Sequence, residues 1–199
     1  MRYLLIPIKD LTNAKQRLSP VLGPVERTTL ATSMMQRTLD VVTRVRLADR
    51  VAVVTSYPPA ISLASRLGLE VIVEERQVSE SCSVDFGSEE AMRRGATAVM
   101  RIPIDLPLLT ADDIDLILAA DDGRKQVILV PSRDGTGTNA ILRRPPDLIN
   151  SRFGPDSLEK HRTLALEAGA TCLIIENPNL AFDVDDPADL ETCRRAGLF

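Results

Sequence analysis

Tryptophan is absent from this 199-residue sequence, and aromatic residues make up only 3% of it. A core without rings has to be aliphatic, which suits buried parallel strands rich in Val, Ile and Leu better than an aromatic β-sandwich. Cysteine is scarce as well. Cys82, Cys172 and Cys193 form neither a CxxC pair nor an even set, which argues against a disulfide framework and for a reducing compartment, the cytoplasm. No stretch approaches the ~20 apolar residues of a membrane span, and the opening residues lack the apolar run and cleavage site of a signal peptide. The net charge of −4 comes without a long basic stripe, so nucleic acid is not an expected partner. Neither GxGxxG nor a Walker motif occurs, which speaks against a Rossmann dehydrogenase and a P-loop enzyme.

What is present is an alternation of short apolar runs and longer amphipathic ones, with 44% hydrophobic residues overall. Tyr3–Ile8, Arg50–Thr55, Glu70–Glu74, Ala98–Ile102, Gln126–Pro131, Asn139–Arg143 and Cys172–Glu176 read as strands covered on both faces. Helices are expected from Pro24 to about Arg44, after Thr110 to about Ala120, from Ser157 to Gly169 and from Pro187 to Ala196. Gly23-Pro24, the Thr110–Asp113 capping box, Ser157 as N-cap, Gly169 as stop and Asp186 mark their ends. The pattern predicts one domain over 1–199 with an α/β, mostly parallel sheet flanked by helices.

Three segments carry candidate chemistry. In Met100–Thr110 a buried strand runs into Asp105, bracketed by Pro103 and Pro107. Ligands of open α/β sheets bind beyond the carboxyl ends of strands, and a carboxylate there suits Mg²⁺, which takes one or two protein carboxylates plus substrate phosphates. A plain turn-capping role fits Asp105 too. Asp183 and Asp185 lie two apart, on one face if the segment is extended, and offer a second acidic site; the alternative is helix capping, which fits Asp186 best. Lys9, Lys15 and Arg17 follow the first strand directly, where they could neutralise a triphosphate or form an ordinary solvated cluster.

Two further loops suggest anion binding. Gly135-Thr-Gly-Thr-Asn139 allows close backbone approach and offers hydroxyl donors. Phe153-Gly154, with Ser157 opening a helix, makes either an anion site or a simple cap. His161 is the only histidine, and no catalytic role is expected of it.

Taken together, these segments resemble the guanylyltransferase family of coenzyme F-420 biosynthesis, which acts on 2-phospho-L-lactate, phosphoenolpyruvate or 3-phosphoglycerate. The resemblance rests on Pro7-Ile-Lys9, Ala14–Ser19, Pro103–Leu109, Gly135–Asn139, Phe153-Gly154 with Ser157 and His161, and Asp183-Val-Asp185 before Pro187. It implies a GT-A-like fold, similar to molybdenum-cofactor nucleotidyltransferases, in a monomer or homodimer. It further implies that Asp105 and Asp185, with Asp183, hold Mg²⁺. Pro7, Lys9, Lys15 and Arg17 would meet GTP, with Lys15 beside the two aspartates in the catalytic set. Thr138, Gly154 and Ser157 would hold a small phosphorylated carboxylic acid. Ser81–Ser88 departs from the Gly-Leu-Asn type of segment that many members carry there, so nucleotide and acceptor choice stay open. Rival readings are a nucleotidyltransferase of other specificity and a catalytically silent binding protein.

Overall fold

The computed structural model covers residues 1–199 and realises all seven expected strands. They are β1 (Arg2–Pro7), β2 (Arg50–Thr55), β3 (Glu70–Val73), β4 (Ala98–Arg101), β5 (Gln126–Pro131), β6 (Thr138–Arg144) and β7 (Thr171–Ile174). They form one sheet in the order β3-β2-β1-β4-β6-β5-β7. Only β6 runs against its neighbours, pairing antiparallel with β4 and β5.

Successive residues of a strand face opposite ways, and both faces of this sheet are covered. Leu4, Ile6, Val53, Met100 and Ile128 point to the larger core, closed by α1 (Pro24–Val42), α2 (Pro58–Arg66), α4 (Ala111–Ala119) and α6 (Pro178–Ala181). Tyr3, Leu5, Val54 and Val99 point the other way, beneath α3 (Glu80–Arg93). Val127, Leu129 and Ile141 continue that face under α5 (Ser157–Glu167). The last helix, α7 (Pro187–Arg195), packs Leu190 and Cys193 against Leu30 and Met34 of α1.

All four expected helices are present within two residues of the expected ends, whereas α2, α3, α6 and a single 3₁₀ turn at Gln16–Leu18 were not expected. Thr110 and Asp113 form the predicted capping box, each side chain accepting from the other's backbone N–H. Asp186 caps α7, its Oδ1 accepting from the N–H groups of Ala188 and Asp189. One expectation needs correction. The N-cap of α5 is Asp156, in a left-handed conformation at φ 55; Ser157 is the first helical residue and is buried. Gly169, at φ 63, stops that helix as expected.

The chain runs outward from β1 to β2 and β3, then returns to the other side of β1 for β4. Such a reversal opens a crevice at the carboxyl ends of the strands. The segments after β1 and β4 and the β5–β6 hairpin all lie at that end. No helix is long and apolar enough to cross a membrane.

Candidate active site

The crevice brings together the two acidic segments and one of the three cations. Lys15 Nζ lies 2.7 Å from Asp105 Oδ2 and 3.3 Å from Asp185 Oδ1. The Val184 N–H donates to the Asp105 carbonyl at 3.2 Å, which stitches the acidic segments side by side. Asp105 therefore answers to a buried ammonium and not to a turn cap. Asp185 is likewise no helix cap: Asp186 takes that role, and the carboxylate of Asp185 turns to Lys15 and to Arg17, whose NH1 lies 3.3 Å away.

Electrostatics follow from this packing. Burial alone would lower the pKa of Lys15, but the charges of Asp105 and Asp185 outweigh it and hold the ammonium above its ordinary value. Burial would raise Asp105, and Lys15, with help from Arg101, pulls it below the usual carboxylate range instead. Asp183 is the exception. Burial and the neighbouring charge of Asp105 push its pKa up, against a hydrogen bond from Asn139 Nδ2 at 3.2 Å. The three aspartates are not arranged as a ready-made cage of protein ligands. Lys9 and Arg17 stay exposed, and Pro7 is buried at the end of β1.

Thr138, Gly154 and Ser157 gather a short way off, on the α3 and α5 side of the sheet. Thr138 opens β6, Ser157 opens α5, and the Leu158 N–H donates to the Thr136 carbonyl at 3.0 Å. Gly154 has φ 117, a conformation open to glycine. Within the hairpin the expected roles divide. Thr136 gives its hydroxyl to Asp134 at 2.9 Å, and with Ser132 it holds that carboxyl down at about 2. Gly137 packs against Ser132, whose Oγ accepts from its N–H at 2.7 Å and would lie 2.7 Å from an added Cβ. Of the two threonines, Thr138 is the one whose hydroxyl meets the ring of His161, 3.0 Å from Nδ1.

Sequence reasoning missed the supports of this region. Arg101 is buried with its guanidinium 4.2 Å over the Phe153 ring, and it donates to the carbonyls of Thr138 and Asn139 and pairs with Glu80. Burial lowers its pKa to about 10. Arg143, also buried, donates to Asp85 at 2.9 Å, and Asp85 accepts from both the N–H and the hydroxyl of Ser151. Ser81 accepts from the Phe153 N–H at 3.0 Å. The signal was there: an arginine closing each of two aliphatic runs, Ala-Val-Met-Arg101 and Ala-Ile-Leu-Arg143.

Comparison with known proteins bears on the family and the fold. Residues 1–194 match the family model described as guanylyl transferase CofC like. The chain belongs to this family. It is 37% identical over 186 residues to a phosphoenolpyruvate guanylyltransferase of Sphaerobacter thermophilus, covering 94% of this chain and 89% of that one. A 3-phospho-D-glycerate guanylyltransferase of Colwellia psychrerythraea is 31% identical, again covering 94% of this chain and 89% of its own. Among solved structures, a nucleotidyl transferase from Methanothermobacter superposes with a TM-score of 0.69 at 17% identity, covering 100% of this chain and 98% of that one. The family member described here thus has the nucleotidyltransferase fold and is an enzyme of nucleotidyl transfer.

Proposed function

We propose that this chain transfers GMP from GTP to a three-carbon phosphorylated acid and releases pyrophosphate. The observation that carries the reading is the Lys15 ammonium held between Asp105 and Asp185 at the switch point of the sheet. Thr138, Gly154 and Ser157, drawn together where the Leu158 N–H meets the Thr136 carbonyl, would form a second, acceptor-holding site. Relatives at 37% and 31% identity are named for phosphoenolpyruvate and for 3-phospho-D-glycerate, so the acceptor is of that class. We place the reaction in the cytoplasm, on a monomer or homodimer.

The donor set fits a hard divalent cation. Asp105 and Asp185 approach one ammonium from two segments, and Asp183, whose pKa burial and then the charge of Asp105 push up, lies beside them. Mg²⁺ takes few protein carboxylates and completes its shell with phosphate oxygens. Asp105 and Asp185 would hold it, with Asp183 as the adjoining third carboxylate. When bound, it supplies charge neutralisation at the reacting phosphates.

The chain's own residues do the rest by positioning. Lys15, Arg17 and Lys9 flank the crevice and would take the triphosphate oxygens, with Pro7 beneath. Thr138, Gly154 and Ser157 would hold the acceptor so that its phosphate oxygen faces the α-phosphorus in line. That oxygen forms the new P–O bond while the bond from the α-phosphorus to the β-bridging oxygen breaks, and pyrophosphate leaves with the electron pair. A phosphate oxygen is already anionic near neutral pH, so no general base is needed. The barrier is the approach of two anions, which fixed cations and orientation lower.

The test offers GTP, CTP or ATP with phosphoenolpyruvate, 2-phospholactate or 3-phosphoglycerate, and identifies the capped product by mass. Magnesium-dependent pyrophosphate release with GTP and one phospho-acid is the expected result. Release with another triphosphate, or with none, would sink the reading. Asp105→Ala and Asp185→Ala should each abolish turnover in folded protein.

A further inference from the structure

His161 is the only histidine in the chain, it is fully buried on α5, and the chemistry above does not use it. Its surroundings nevertheless determine where its proton sits. The backbone N–H of Arg152 donates to Nε2 at 2.8 Å. A backbone amide can only donate, so Nε2 carries a lone pair and no hydrogen. Burial, then the charges of Arg143 and Arg101, hold the ring's pKa down at about 4, and the imidazole is neutral at working pH. A neutral ring with a bare Nε2 has its proton on Nδ1.

Nδ1 lies 3.0 Å from the hydroxyl oxygen of Thr138. With the proton on the ring, Thr138 is the acceptor of that bond, and its own O–H points elsewhere. We propose that His161 is a positioning residue which, by its tautomer, fixes the Thr138 hydroxyl as a hydrogen-bond donor to an anionic oxygen of the acceptor. The proposal rests on the reading of Thr138 as an acceptor-binding residue. With the opposite tautomer the threonine would spend its proton on the ring and turn lone pairs toward the acid. The Arg152 amide thus sets, through the ring, the polarity of a group on the far side. Phe153 holds the ring edge-on, with centroids 5.1 Å apart, which resists a flip that would put ring carbons in place of the two nitrogens.

The experiment has two arms. In ¹⁵N-labelled protein near neutral pH, a long-range ¹⁵N–¹H spectrum of the imidazole reports the tautomer directly, and one histidine makes its assignment unambiguous. A protonated Nδ1 and a bare Nε2 are expected; a proton on Nε2, or averaged tautomers, would overturn the proposal. The second arm measures KM for GTP and for whichever phospho-acid gives product. Thr138→Val and His161→Gln should each raise acceptor KM by about 10-fold with GTP KM unchanged, whereas His161→Asn, which can still donate at the Nδ1 position, should restore most of the loss. His161→Gln should add nothing in the Thr138→Val background; an equal effect in both backgrounds would show that His161 acts independently of the hydroxyl and overturn the proposal. If Thr138→Val leaves acceptor KM unchanged, the acceptor reading itself falls. If Thr138→Val raises KM but the ring carries its proton on Nε2, only the tautomer proposal falls.

Discussion

Lys15 reaches across 90 residues of sequence to set its ammonium 2.7 Å from Asp105, and it does so from a left-handed backbone at φ 53. A non-glycine residue holds that conformation only where the surroundings enforce it. Here the enforcement comes from the two carboxylates and from the 3₁₀ turn that follows, whose Leu18 is buried.

That arrangement makes Lys15 both a partner and a competitor of the cation proposed for Asp105 and Asp185. Removing the ammonium frees oxygens it now neutralises, so Lys15→Met should bind Mn²⁺ without nucleotide roughly 10-fold more tightly than the natural chain. Turnover should nonetheless fall by about 100-fold or more, since the transferred phosphate loses a fixed cation. Mn²⁺ titration followed by electron paramagnetic resonance, beside steady-state rates, checks both. Weaker metal binding in Lys15→Met would contradict the shared-oxygen geometry.

Asp183 carries a pH prediction of opposite sign to the paired aspartates of this chain, such as Asp105 and Asp115. Its folded pKa lies above the unfolded 3.8, so the native state binds more protons than the unfolded chain between those values. Stability linked to this group is therefore present at low pH and lost as pH rises through the raised value. Asp183→Asn should raise Tm at pH 7, by roughly 1–3 °C, with the gain vanishing near pH 3. Added Mg²⁺ and GTP should reverse the order of the two proteins. Calorimetry across pH, with and without ligand, provides the measurement.

Asp85 ties α3 to the loop that leads into α5. Its carboxylate receives Arg143 and both donors of Ser151, two residues before Phe153. Asp85→Ala leaves the Arg143 guanidinium buried with less compensation. Because Asp85 itself keeps some solvent contact, the cost is set below the fully buried case, at about 2 kcal/mol in denaturant unfolding. Acceptor KM should rise while GTP KM holds. Equal loss of both affinities would mean that the loop serves the whole crevice.

The strands were legible because burial on both faces writes them as continuous aliphatic runs, as in Leu4-Leu-Ile-Pro7 or Val127-Ile-Leu-Val130. Helices with capping residues and spaced apolar positions, such as α1 and α4, were legible too. Pro58–Arg66 was missed although Pro58 and Pro59 suit a first turn; its nine residues show only Ala60 and Ala64 buried, too small to write a stripe. Asp105 and the Asp183–Asp185 pair were legible as two acidic sites, each at an element end and suited to one shared ion, but the reach of Lys15 to both was not. The resemblance brought them together on paper, and the contact that pairs them is a tertiary fact. Arg101 and Arg143 were hidden by the habit of reading strand interiors as apolar, because nothing local announces Glu80 or Asp85 as their partners.

The missed helix α3 supplies the last prediction. Ser79, Ser81, Cys82, Ser83, Gly87 and Ser88 give it little helix propensity, and a sequence scale alone would advise replacing Gly87 by alanine. Packing says otherwise. A Cβ at Gly87 would lie 2.6 Å from Val54 Cγ2 and 3.2 Å from Leu5 Cδ1, and both side chains are fully buried in the sheet. Alanine gains about 1 kcal/mol of helix propensity, but overpacking a closed core costs about 1–3 kcal/mol. Gly87→Ala should therefore destabilise by about 1 kcal/mol, and in the Val54→Ala background, where the nearest methyl is gone and only Leu5 Cδ1 stays close, the same change should become neutral or stabilising. Urea unfolding of the four proteins reads the cycle. Were Gly87→Ala to stabilise the natural background as propensity alone requires, α3 would sit farther from β1 and β2 than this packing places it, and the Ser81 and Asp85 contacts to Phe153 and Ser151 would move with it.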